Sequence, residues 1–342
     1  MFCTSLAAHD PARTSTASLL GVDVGGSRTR VLLARSNGTV IGRGHGPGAN
    51  RFSSVTRLEH ALTEALTVAF DRAGADAAPA DVCAAVVAVA GLLHGDGARG
   101  EVERALAAVG IRTRLRVVPD FVANHAAGSQ APDGLVLVAG TGAVAARILG
   151  RQPVARADGS GWLLGDEGSA VWFALEAIRA VLRGWDGRGT PTSLAGPVIR
   201  ELLGPAAPTD REPASEVVAA VSRRSAASLG ALAPPVLALA DEDEVAATIL
   251  RRAADALAGS ALAAAGDSEP AQLVVAGSVL LGASNLRRAI LERLRGRWPS
   301  VVVSEGRDGA AGAAVIALED WDAGRLTPRI HRRLVGPVLR SD

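Results

Sequence analysis

The segment from Ala157 to Ala170, ADGSGWLLGDEGSA, holds the densest group of potential ligand-binding residues in the sequence. Its interior glycines allow sharp turns and a close approach to a ligand. The adjacent Asp166 and Glu167 supply carboxylate oxygens, which accept hydrogen bonds from hydroxyl groups. This pattern favours a loop that binds a polyhydroxylated molecule such as a sugar. The alternative is an ordinary helix start, with Asp166 or Ser169 as its cap and Glu167 complementing the helix dipole.

A second group lies between two apolar segments near the start, in the sequence DVGGSRT at positions 23–29. Here Gly25, Gly26, Ser27 and Thr29 can turn backbone N–H groups and hydroxyls toward a phosphate, and Asp23 can hold a hydrated magnesium ion. The segment is not a Walker loop, because GxxxxGK[ST] is absent, and it is not a Rossmann turn, because no helix follows. A tight hairpin is the alternative, although hairpins seldom need an aspartate before two glycines.

The same pattern of glycine and hydroxyl returns at Gly140, Thr141 and Gly142, again between two apolar strands. Two such turns, each opening a run of strands, indicate two related domains that face one shared phosphate group. Asp120 ends a short apolar segment and starts a helix. It is therefore either a simple helix N-cap or, given suitable partners, a catalytic carboxylate.

The elements that must position these residues follow from hydrophobic runs and turn signals. Residues 18–42 predict three strands joined by a glycine turn and an Asn-Gly turn. The order βββαβαβα over the first part of the chain indicates one compact α/β unit. Further strands are expected at 82–89, 115–120, 135–149 around the second glycine turn, 272–276 and 301–304, and helices at about 55–73, 101–109, from 120, 169–183, 242–264, 285–296 and from 313.

Length and charge narrow the class of protein. A chain of 342 residues predicts two domains. We expect a leader at 1–18, an N-terminal domain at 19–127 that the tail 325–342 joins, and a C-terminal domain at 128–324. With 36 basic and 35 acidic side chains, the chain gives no indication of nucleic acid or an acidic membrane as a partner. A homodimer is compatible with these features.

The cysteines and the apolar segments indicate the cellular compartment of the protein. Cys3 and Cys83 are far apart and form neither a disulfide framework nor a CxxC metal motif. No signal peptide and no apolar run long enough to span a bilayer is recognisable, so we expect a cytoplasmic protein.

In this order and spacing, segments 23–29, Asp120, 140–142 and 276–278 resemble the superfamily of sugar kinases, actin and heat-shock chaperone ATPases. The segment GDEGSA at 165–170 narrows the similarity to its N-acetylglucosamine kinase branch, which also contains BadF/BadG-type ATPases that activate benzoyl-CoA reductase. Within that branch the chain looks most like the glucosamine kinases of actinobacteria. The resemblance covers residues 19 to about 320, and five weak motifs in order are together specific. It implies an α/β fold of two ribonuclease-H-like, actin-like domains with the active site in the cleft between them.

The resemblance also implies roles for individual residues, with ATP and Mg²⁺ as cofactors. Asp120 corresponds to the catalytic base, which would contribute typically ~10²–10⁴-fold, and with Asp23 it lies near the metal ion. The implied ATP-binding residues are Gly25, Gly26, Ser27, Arg28, Thr29, Thr141, Gly142, Gly277, Ser278, Gly309 and Gly312. The implied sugar-binding residues are Asn50, Ala90, Gly91, Asn124, His125, Gly140, Thr141, Asp158, Gly159, Ser160, Asp166, Glu167 and Glu176.

Departures from the family pattern bear on the acceptor sugar. N-acetylglucosamine kinases usually read GTGSN and GWG where this sequence has Val144 and Ser160. Both changes remove side chains associated with the N-acetyl pocket. The sequence therefore favours ATP-dependent phosphorylation of glucosamine at its 6-hydroxyl, with N-acetylglucosamine as the alternative. Glu176, often Gln in such kinases, is a candidate partner for the sugar ammonium, unless it simply pairs with Arg179 or Arg183 on its own helix.

Three other classes of protein fit the sequence less well. A reductase-activating ATPase needs cysteines to ligate an iron–sulfur cluster, and the chain has only Cys3 and Cys83. A sugar-responsive repressor needs a helix-turn-helix ahead of the first strand, which the leading 18 residues are too short and polar to form. An interaction ATPase of the chaperone type would leave the GDEG segment at 165–168 without a purpose.

Overall fold

The computed structural model of the protein describes residues 17–49, 56–92 and 97–337, apart from the side chain of residue 97. In this part of the chain, strands form two five-stranded sheets. The first sheet contains β1 (Ser18–Val24), β2 (Arg28–Arg35), β3 (Val40–Pro47), β4 (Val82–Val89) and β5 (Arg114–Pro119). The second contains β6 (Gly134–Ala139), β7 (Ala143–Leu149), β8 (Gln152–Asp158), β9 (Gln272–Ala276) and β10 (Val302–Gly306).

The two sheets follow the same plan. The strand order is β3-β2-β1-β4-β5 in the first sheet and, in the corresponding direction, β8-β7-β6-β9-β10 in the second. In each sheet the first three strands in sequence are antiparallel, and the last two run parallel to the first. The predicted α/β fold built from two related units is confirmed.

Helices cover the sheets and connect their parallel strands. The N-terminal half contains α1 (Leu58–Ala73), α2 (Gly97–Ala108) and α3 (Asp120–Gly128). The rest contains α4 (Ala170–Trp185), α5 (Ala195–Leu203), α6 (Ala214–Ser222), α7 (Ala226–Leu229), α8 (Ala233–Leu239), α9 (Glu244–Ala265), α10 (Ser278–Gly282), α11 (Ser284–Arg295), α12 (Gly309–Asp322) and α13 (Pro328–Val335).

Local sequence explains the hairpin that opens the chain. All seven residues of the central strand β1 are buried, which accounts for its nearly continuous apolar sequence. The turn between β2 and β3 uses Asn37 and Gly38. Asn37 Oδ1 accepts a hydrogen bond from the backbone N–H of Thr39 over 2.9 Å, and Gly38 has φ 85°. A left-handed residue of this kind favours glycine.

Helices α3 and α12 pack together between the two sheets, with α12 against β1 and β4 and α3 against β6, β9 and β10. One apolar core therefore contains Leu19 from β1, Val136 from β6 and most of α12. The tail also returns to the first sheet, because Arg333 Nη1 donates to the carbonyl of Asn37 over 3.2 Å. The division into domains 19–127 and 128–324 remains a proposal, and α12 contributes to the packing of both.

Helix α12 begins four residues earlier than the sequence predicts. Asp308 caps it, because its Oδ1 accepts hydrogen bonds from the backbone N–H groups of Ala310 (3.1 Å) and Ala311 (3.2 Å). The glycines expected to form an adenosine loop, Gly309 and Gly312, are therefore in the first turn of a helix. A Cβ atom at Gly312 would overlap the backbone carbonyl oxygen of an α3 residue, so this glycine serves helix packing.

We expect Gly312→Ala to lower the free energy of unfolding by about 1–3 kcal/mol, because the added methyl forces α3 and α12 apart. The matched control is Gly259→Ala in α9, where a Cβ atom would meet nothing within 4 Å. That change should raise stability by up to about 1 kcal/mol, since alanine favours helix more than glycine does. Urea unfolding of both variants measures the difference, and equal effects would contradict the packing role of Gly312.

Candidate active site

A cavity of about 720 Å³ opens between the two sheets. Its wall includes the turns after β1 and β6, the end of β4, the start of α3 and the loop after β8. The predicted site residues on this wall are Asp23, Gly25, Gly26, Ser27, Arg28, Ala90, Gly91, Asp120, Asn124, Gly140, Thr141, Gly142, Gly159, Ser160, Asp166, Gly277 and Ser278. The predicted residues that do not line the cavity are Thr29, His125, Asp158, Glu167, Glu176, Gly309 and Gly312. Asn50 lies outside the described residues.

The two turns of glycine and hydroxyl residues meet in the cavity. Ser27 Oγ lies 3.0 Å from Thr141 Oγ1, although the residues are 114 positions apart. The second turn is closed by a hydrogen bond of 2.9 Å from Gly140 N to the carbonyl of Gly142. Backbone N–H groups and hydroxyls gathered in this way form a concave surface suited to phosphate oxygens.

Two of the expected ATP-binding residues support the wall from behind. Side chains along β2 point alternately to its two faces, so Thr29 faces away from the side of Arg28 and Arg30. There its hydroxyl donates to the carbonyl of Pro47 over 2.7 Å. Gly309 lies under the carboxyl group of Asp23, and a Cβ atom there would come within 2.7 Å of Asp23 Cγ. Both residues fix the shape of the site without lining the cavity.

Asp158 holds the loop that carries Asp166. Its Oδ1 accepts a hydrogen bond from Asp166 N over 2.8 Å, and its Oδ2 accepts one from Glu167 N over 2.8 Å. Asp158 and Asp166 both have left-handed backbone angles, φ 60° and 55°, which aspartate adopts more readily than most residues. The sequence predicted sugar contacts for Asp158 and Glu167. Instead, Asp158 binds the loop backbone, and Glu167 is exposed outside the cavity.

The loop ends at the start of α4, where Ser169 is the N-cap and accepts a hydrogen bond from Trp172 N over 3.2 Å. Ala170 N donates to the carbonyl of Gly140 over 2.8 Å, which ties the helix start to the glycine turn at 140–142. The two interpretations of this segment thus apply to different residues. Ser169 caps the helix, whereas Asp166 lines the cavity.

Three carboxyl groups on the cavity wall have raised pKa values. Burial, and then the charge of Asp120, raise the pKa of Asp23 to about 7 against the opposing effect of Arg30, whose Nη1 lies 3.4 Å from Asp23 Oδ2. Burial also raises the pKa of Asp120 to about 6, although a hydrogen bond from Phe121 N opposes this shift. The pKa of Asp166 is raised to about 6, again mainly by burial. Several carboxyl groups with shifted pKa values in one cavity are typical of a functional site.

The pair formed by Asp23 and Asp120 suits a divalent cation. Mg²⁺ binds through one or two carboxylates, keeps several waters and takes its other ligands from substrate phosphates. The mutual repulsion that raises the pKa of Asp23 would be relieved by a cation between the two groups. In the described residues, no group of three or more His, Cys, Asp or Glu side chains is arranged to hold a metal ion.

We expect Asp23→Asn to stabilise the ligand-free protein relative to wild type increasingly as the pH rises from about 4 to about 7. Asp in an unfolded chain titrates near 4, so in this range the folded wild type holds a proton that the unfolded chain has lost. Each unit of raised pKa therefore costs the wild type about 1.4 kcal/mol above pH 7.

Thermal unfolding of both proteins between pH 4 and pH 8 measures this difference. His125, whose pKa is lowered to about 3, makes stability rise with pH up to about 6.5, but it does so equally in both proteins. A constant difference between the two melting temperatures across the range would contradict the raised pKa of Asp23.

His125 lies behind the site, not in it. Asp120 and Asn124 are one turn apart on the face of α3 toward the cavity, whereas His125 follows about 100° further around the helix. The ring is fully buried, with Nδ1 3.1 Å from Arg151 Nη1 and no hydrogen-bond partner for Nε2 among the described residues. Burial, and then the charge of Arg151, lower its pKa to about 3, so the ring is neutral.

Glu176 faces away from the cavity and is occupied by two arginines. Its Oε1 lies 2.9 Å from Arg179 Nη1, and its Oε2 pairs with Arg252 of α9. Arg252 also lies over the ring of Trp172, 5.4 Å from the ring centre. A buried carboxylate with these partners is not available to a substrate ammonium group. The structure thus shows the pairing with Arg179 that the sequence analysis gave as the alternative.

Sequence reasoning missed three arginines on the cavity wall: Arg30, Arg156 and Arg307. Strand alternation could have found Arg30, since it lies two positions after Arg28 in β2. Arg307 is marked by no motif, and its guanidinium is held by Glu305 through an Nε–Oε2 distance of 2.7 Å. Arg156 belongs to β8, for which the sequence analysis listed no separate strand.

No helix in residues 17–49, 56–92 and 97–337 has the length and apolar character needed to cross a membrane.

Comparison with known proteins places the chain among nucleotide-dependent enzymes of this fold. The sequence model of the BadF/BadG/BcrA/BcrD ATPase family matches residues 20–317. The N-acetylmuramic acid/N-acetylglucosamine kinase of Clostridium acetobutylicum is 25% identical over 313 residues, which cover 89% of this chain and 99% of the relative.

Solved structures share the fold. One is a protein from Chromobacterium violaceum proposed to be an N-acetylglucosamine kinase, with a TM-score of 0.69 and 27% identity. The aligned part covers 89% of this chain and 99% of the Chromobacterium chain. The ROK-family glucokinase of Streptomyces griseus, solved with glucose and AMPPNP, has a TM-score of 0.55 and 16% identity, with 88% and 98% covered. At 16% identity, the similarity to the glucokinase shows a shared fold only. The expected two-domain, actin-like fold is confirmed.

The matched segment runs from β1 into α12 and so contains both sheets and both phosphate-type turns. The chain therefore belongs to the BadF/BadG/BcrA/BcrD ATPase family, as the order of its motifs predicted.

Proposed function

We propose that the protein is an ATP-dependent kinase that phosphorylates an amino sugar at its 6-hydroxyl. The observation that carries this proposal is the 3.0 Å approach of Ser27 to Thr141, which brings two phosphate-type turns into one cavity with Asp120 and Asp166. The family of the chain and the kinase names of its relatives support the same class of reaction.

Asp120 is the proposed catalytic base. A sugar hydroxyl is a poor nucleophile until a group within hydrogen-bond reach accepts its proton. The Asp120 carboxylate lines the cavity, and with a pKa of about 6 it is mostly ionised at neutral pH yet basic enough to take a proton. Asp166, held by Asp158, is the proposed acceptor for hydrogen bonds from the sugar hydroxyls.

The remaining residues have proposed roles toward ATP. Ser27, Thr141 and the backbone of their turns bind the phosphates, while Gly277 and Ser278 flank the adenosine end. ATP supplies the phosphoryl group and leaves as ADP. Asp23 and Asp120 would hold Mg²⁺, which would offset the charge of the phosphates during transfer.

Glucosamine and N-acetylglucosamine are the two candidate acceptors, and different observations favour each. Val144 and Ser160 both line the cavity. Val144 has no polar group and Ser160 no aromatic ring for an acetyl group, which favours glucosamine. The names of the relatives favour N-acetylglucosamine, and the name of the Clostridium acetobutylicum relative also includes N-acetylmuramic acid. Because Glu176 is occupied, Asp166 is the carboxylate that we propose for the ammonium group of glucosamine.

A coupled assay of ADP release tests the proposal with glucosamine, N-acetylglucosamine, N-acetylmannosamine and glucose. NMR of the product then identifies the phosphorylated hydroxyl. We expect turnover with an amino sugar and slow ATP hydrolysis without any sugar, since closure around both substrates excludes water. ATP hydrolysis that is equally fast without sugar would overturn the kinase proposal. Glu176→Gln should leave the ratio of kcat/KM between glucosamine and N-acetylglucosamine unchanged.

A further inference from the structure

We propose that Arg30 is a catalytic residue with two alternative partners. It pairs with the carboxylate of Asp23, and it turns to the terminal phosphate of the nucleotide when Asp23 binds a divalent cation. The inference rests on the proposed kinase function and deepens it, because it names the side chain that brings positive charge to the phosphoryl group during transfer. No motif in the sequence assigned a role to Arg30.

Arginine is the side chain that must meet the charge of bound phosphates, because the sequence contains no lysine. Within the described residues, the arginines that line the cavity are Arg28, Arg30, Arg156 and Arg307. Arg156 lies on β8 and Arg307 follows β10, both in the second sheet. Arg28 and Arg30 lie on β2, the strand that directly follows the first turn of glycine and hydroxyl residues.

The pairing of Arg30 with Asp23 follows from the strand register. The two residues are opposite each other in β2 and β1, which places their side chains on the same face of the sheet. Arg30 Nη1 lies 3.4 Å from Asp23 Oδ2, whereas a strong charge-assisted hydrogen bond measures about 2.7–2.9 Å. The Arg30 side chain is 48% exposed. The guanidinium group is therefore loosely held and free to leave.

The carboxyl group of Asp23 is fixed, in contrast to the guanidinium group. Asp23 belongs to β1, whose residues are all buried. Its carboxyl group rests against the first turn of α12, where a Cβ atom at Gly309 would come within 2.7 Å of Asp23 Cγ and Oδ2. A change of partner at Asp23 therefore moves Arg30 and leaves the carboxylate in place.

The charges around Asp23 favour such an exchange. The charges of Asp120 and Asp308 raise the pKa of Asp23, whereas that of Arg30 lowers it, and Asp308 already pairs with Arg43 over 2.6 Å. Arg30 is thus the group that balances the carboxylates at this point of the cavity. When Asp23 and Asp120 hold a divalent cation, Asp23 no longer needs Arg30, and the two positive charges repel each other.

The terminal phosphate of the nucleotide is the anionic group within reach of the displaced side chain. Asp120, the proposed base, accepts the proton of the sugar hydroxyl, so the phosphorus atom that this hydroxyl attacks must lie beside Asp120. The charge of Asp120 acts on Asp23, and Arg30 contacts Asp23. A guanidinium group this close to the transferred phosphoryl group can donate parallel hydrogen bonds to two of its oxygens.

Arg30 acts in the transfer step through hydrogen bonds alone. The sugar oxygen forms a bond to phosphorus while the bond from phosphorus to the ADP oxygen breaks. Asp120 takes the hydroxyl proton, and Arg30 keeps its own protons and donates hydrogen bonds to the phosphoryl oxygens. These bonds strengthen as negative charge redistributes in the transition state, which is how a positioned arginine accelerates phosphoryl transfer.

Two binding measurements separate the two partners of Arg30. Electron paramagnetic resonance gives the Kd for Mn²⁺ without nucleotide, and calorimetry with Mg²⁺ gives the Kd for AMPPNP and for ADP. The variants are Arg30→Gln and Arg30→Lys. For comparison, Arg28→Gln removes a cavity arginine that forms no ion pair within the described ranges. The control is Arg295→Gln, on an exposed arginine of α11 outside the cavity. Melting temperatures show whether each variant folds.

We expect opposite effects of Arg30→Gln on the cation and on the nucleotide. The Kd for Mn²⁺ should fall about 2- to 5-fold, because an exposed ion pair that competes with the cation is lost. The Kd for AMPPNP should rise about 10- to 100-fold, as for the loss of a hydrogen bond to a charged group, while the Kd for ADP stays within about twofold. With an amino sugar, kcat should fall about 10²- to 10³-fold.

The other variants isolate the charge and the position of the arginine. Arg30→Lys should bind Mn²⁺ as the wild type does and have an intermediate kcat, since it keeps the charge but not the planar fork. Arg28→Gln should leave the Kd for Mn²⁺ unchanged, because Arg28 does not pair with Asp23. Arg295→Gln should match the wild type in every measurement.

A merely structural ion pair would not tighten the binding of Mn²⁺ and weaken that of AMPPNP at once. An unchanged or weaker affinity of Arg30→Gln for Mn²⁺ overturns the exchange of partners. Equal losses for AMPPNP and ADP, or no loss for either, overturn the contact with the terminal phosphate. Because the binding measurements contain no sugar, a wild type that binds both nucleotides but phosphorylates no sugar rejects the proposed function and the catalytic role of Arg30, but not the exchange itself.

Discussion

Asp120→Asn should lower kcat about 10²- to 10⁴-fold while the Kd for ATP measured without Mg²⁺ stays within about twofold, because the amide keeps the shape of the carboxylate but cannot accept the proton. Asp120 is the first residue of α3, where its Oδ1 accepts a hydrogen bond from Phe121 N over 3.0 Å. The oxygen of an asparagine side chain can keep that bond. The substitution therefore leaves the fold of this segment intact and removes the proton acceptor, together with one of the two negative charges that we propose for Mg²⁺.

Steady-state kinetics at saturating sugar, together with calorimetric titration of ATP, measure the two effects. For the wild type, kcat/KM should rise with pH up to about 6 and then level, since the base must be ionised to act. Asp267→Asn, on an exposed carboxylate outside the cavity, is the control and should behave as wild type. If Asp120→Asn turns over at the wild-type rate, the base is a different group, and Asp166 becomes the next carboxylate to replace.

Gly142→Ala should lower kcat/KM for the sugar about 100-fold, because the new methyl displaces the carboxyl group that we assign to sugar binding. A Cβ atom at Gly142 would lie only 2.8 Å from Asp166 Oδ2, so Asp166 must move. Its loop cannot simply follow, since Asp158 and the start of α4 fix both ends. A misplacement of about 1 Å can cost about 10² in rate.

Gly140→Ala is the matched comparison in the same turn. Its Cβ atom would meet no protein atom closer than 3.7 Å, so any loss there reports on the bound phosphates and not on Asp166. We therefore expect Gly142→Ala to raise KM for the sugar more than KM for ATP, and Gly140→Ala to spare the sugar. If both variants change KM for the sugar and KM for ATP in the same proportion, Gly142 has no special role in sugar binding.

Much of the secondary structure and the two turns of glycine and hydroxyl residues could be predicted from the sequence because their signals are local. Strand β4 lies at the predicted residues 82–89, and the Asn37-Gly38 turn carries its own hydrogen bond and left-handed glycine. The repetition of the pattern at residues 23–29 and 140–142 predicted two related sheets. Turn chemistry and the period of apolar residues depend on neighbours within a few positions, so they can be recognised without the fold.

Partner choice over long distances could not be predicted in this way. Glu176 was a candidate for binding a sugar amine until the fold placed Arg252, 76 residues later, against its carboxylate. Gly312 looked like part of a ligand loop, but the crossing of α3 and α12 gives it a packing role. Asp158 and Asp166 are alike in the sequence, and only the tertiary structure separates the residue that holds the loop from the one that lines the cavity.

The sequence by itself determined the family, the α/β order of elements and the polar residues available at the ends of the strands. The tertiary structure decided which of these residues meet in the cavity and which charges are already neutralised inside the protein. The physical reason is that the effect of a charge depends on its burial and its partners. Arg307 pairs with Glu305, whereas Arg156 has no ion-pair partner in the part of the chain that the structure describes. Burial and partners are set by contacts between segments that are distant in sequence, which no local pattern encodes.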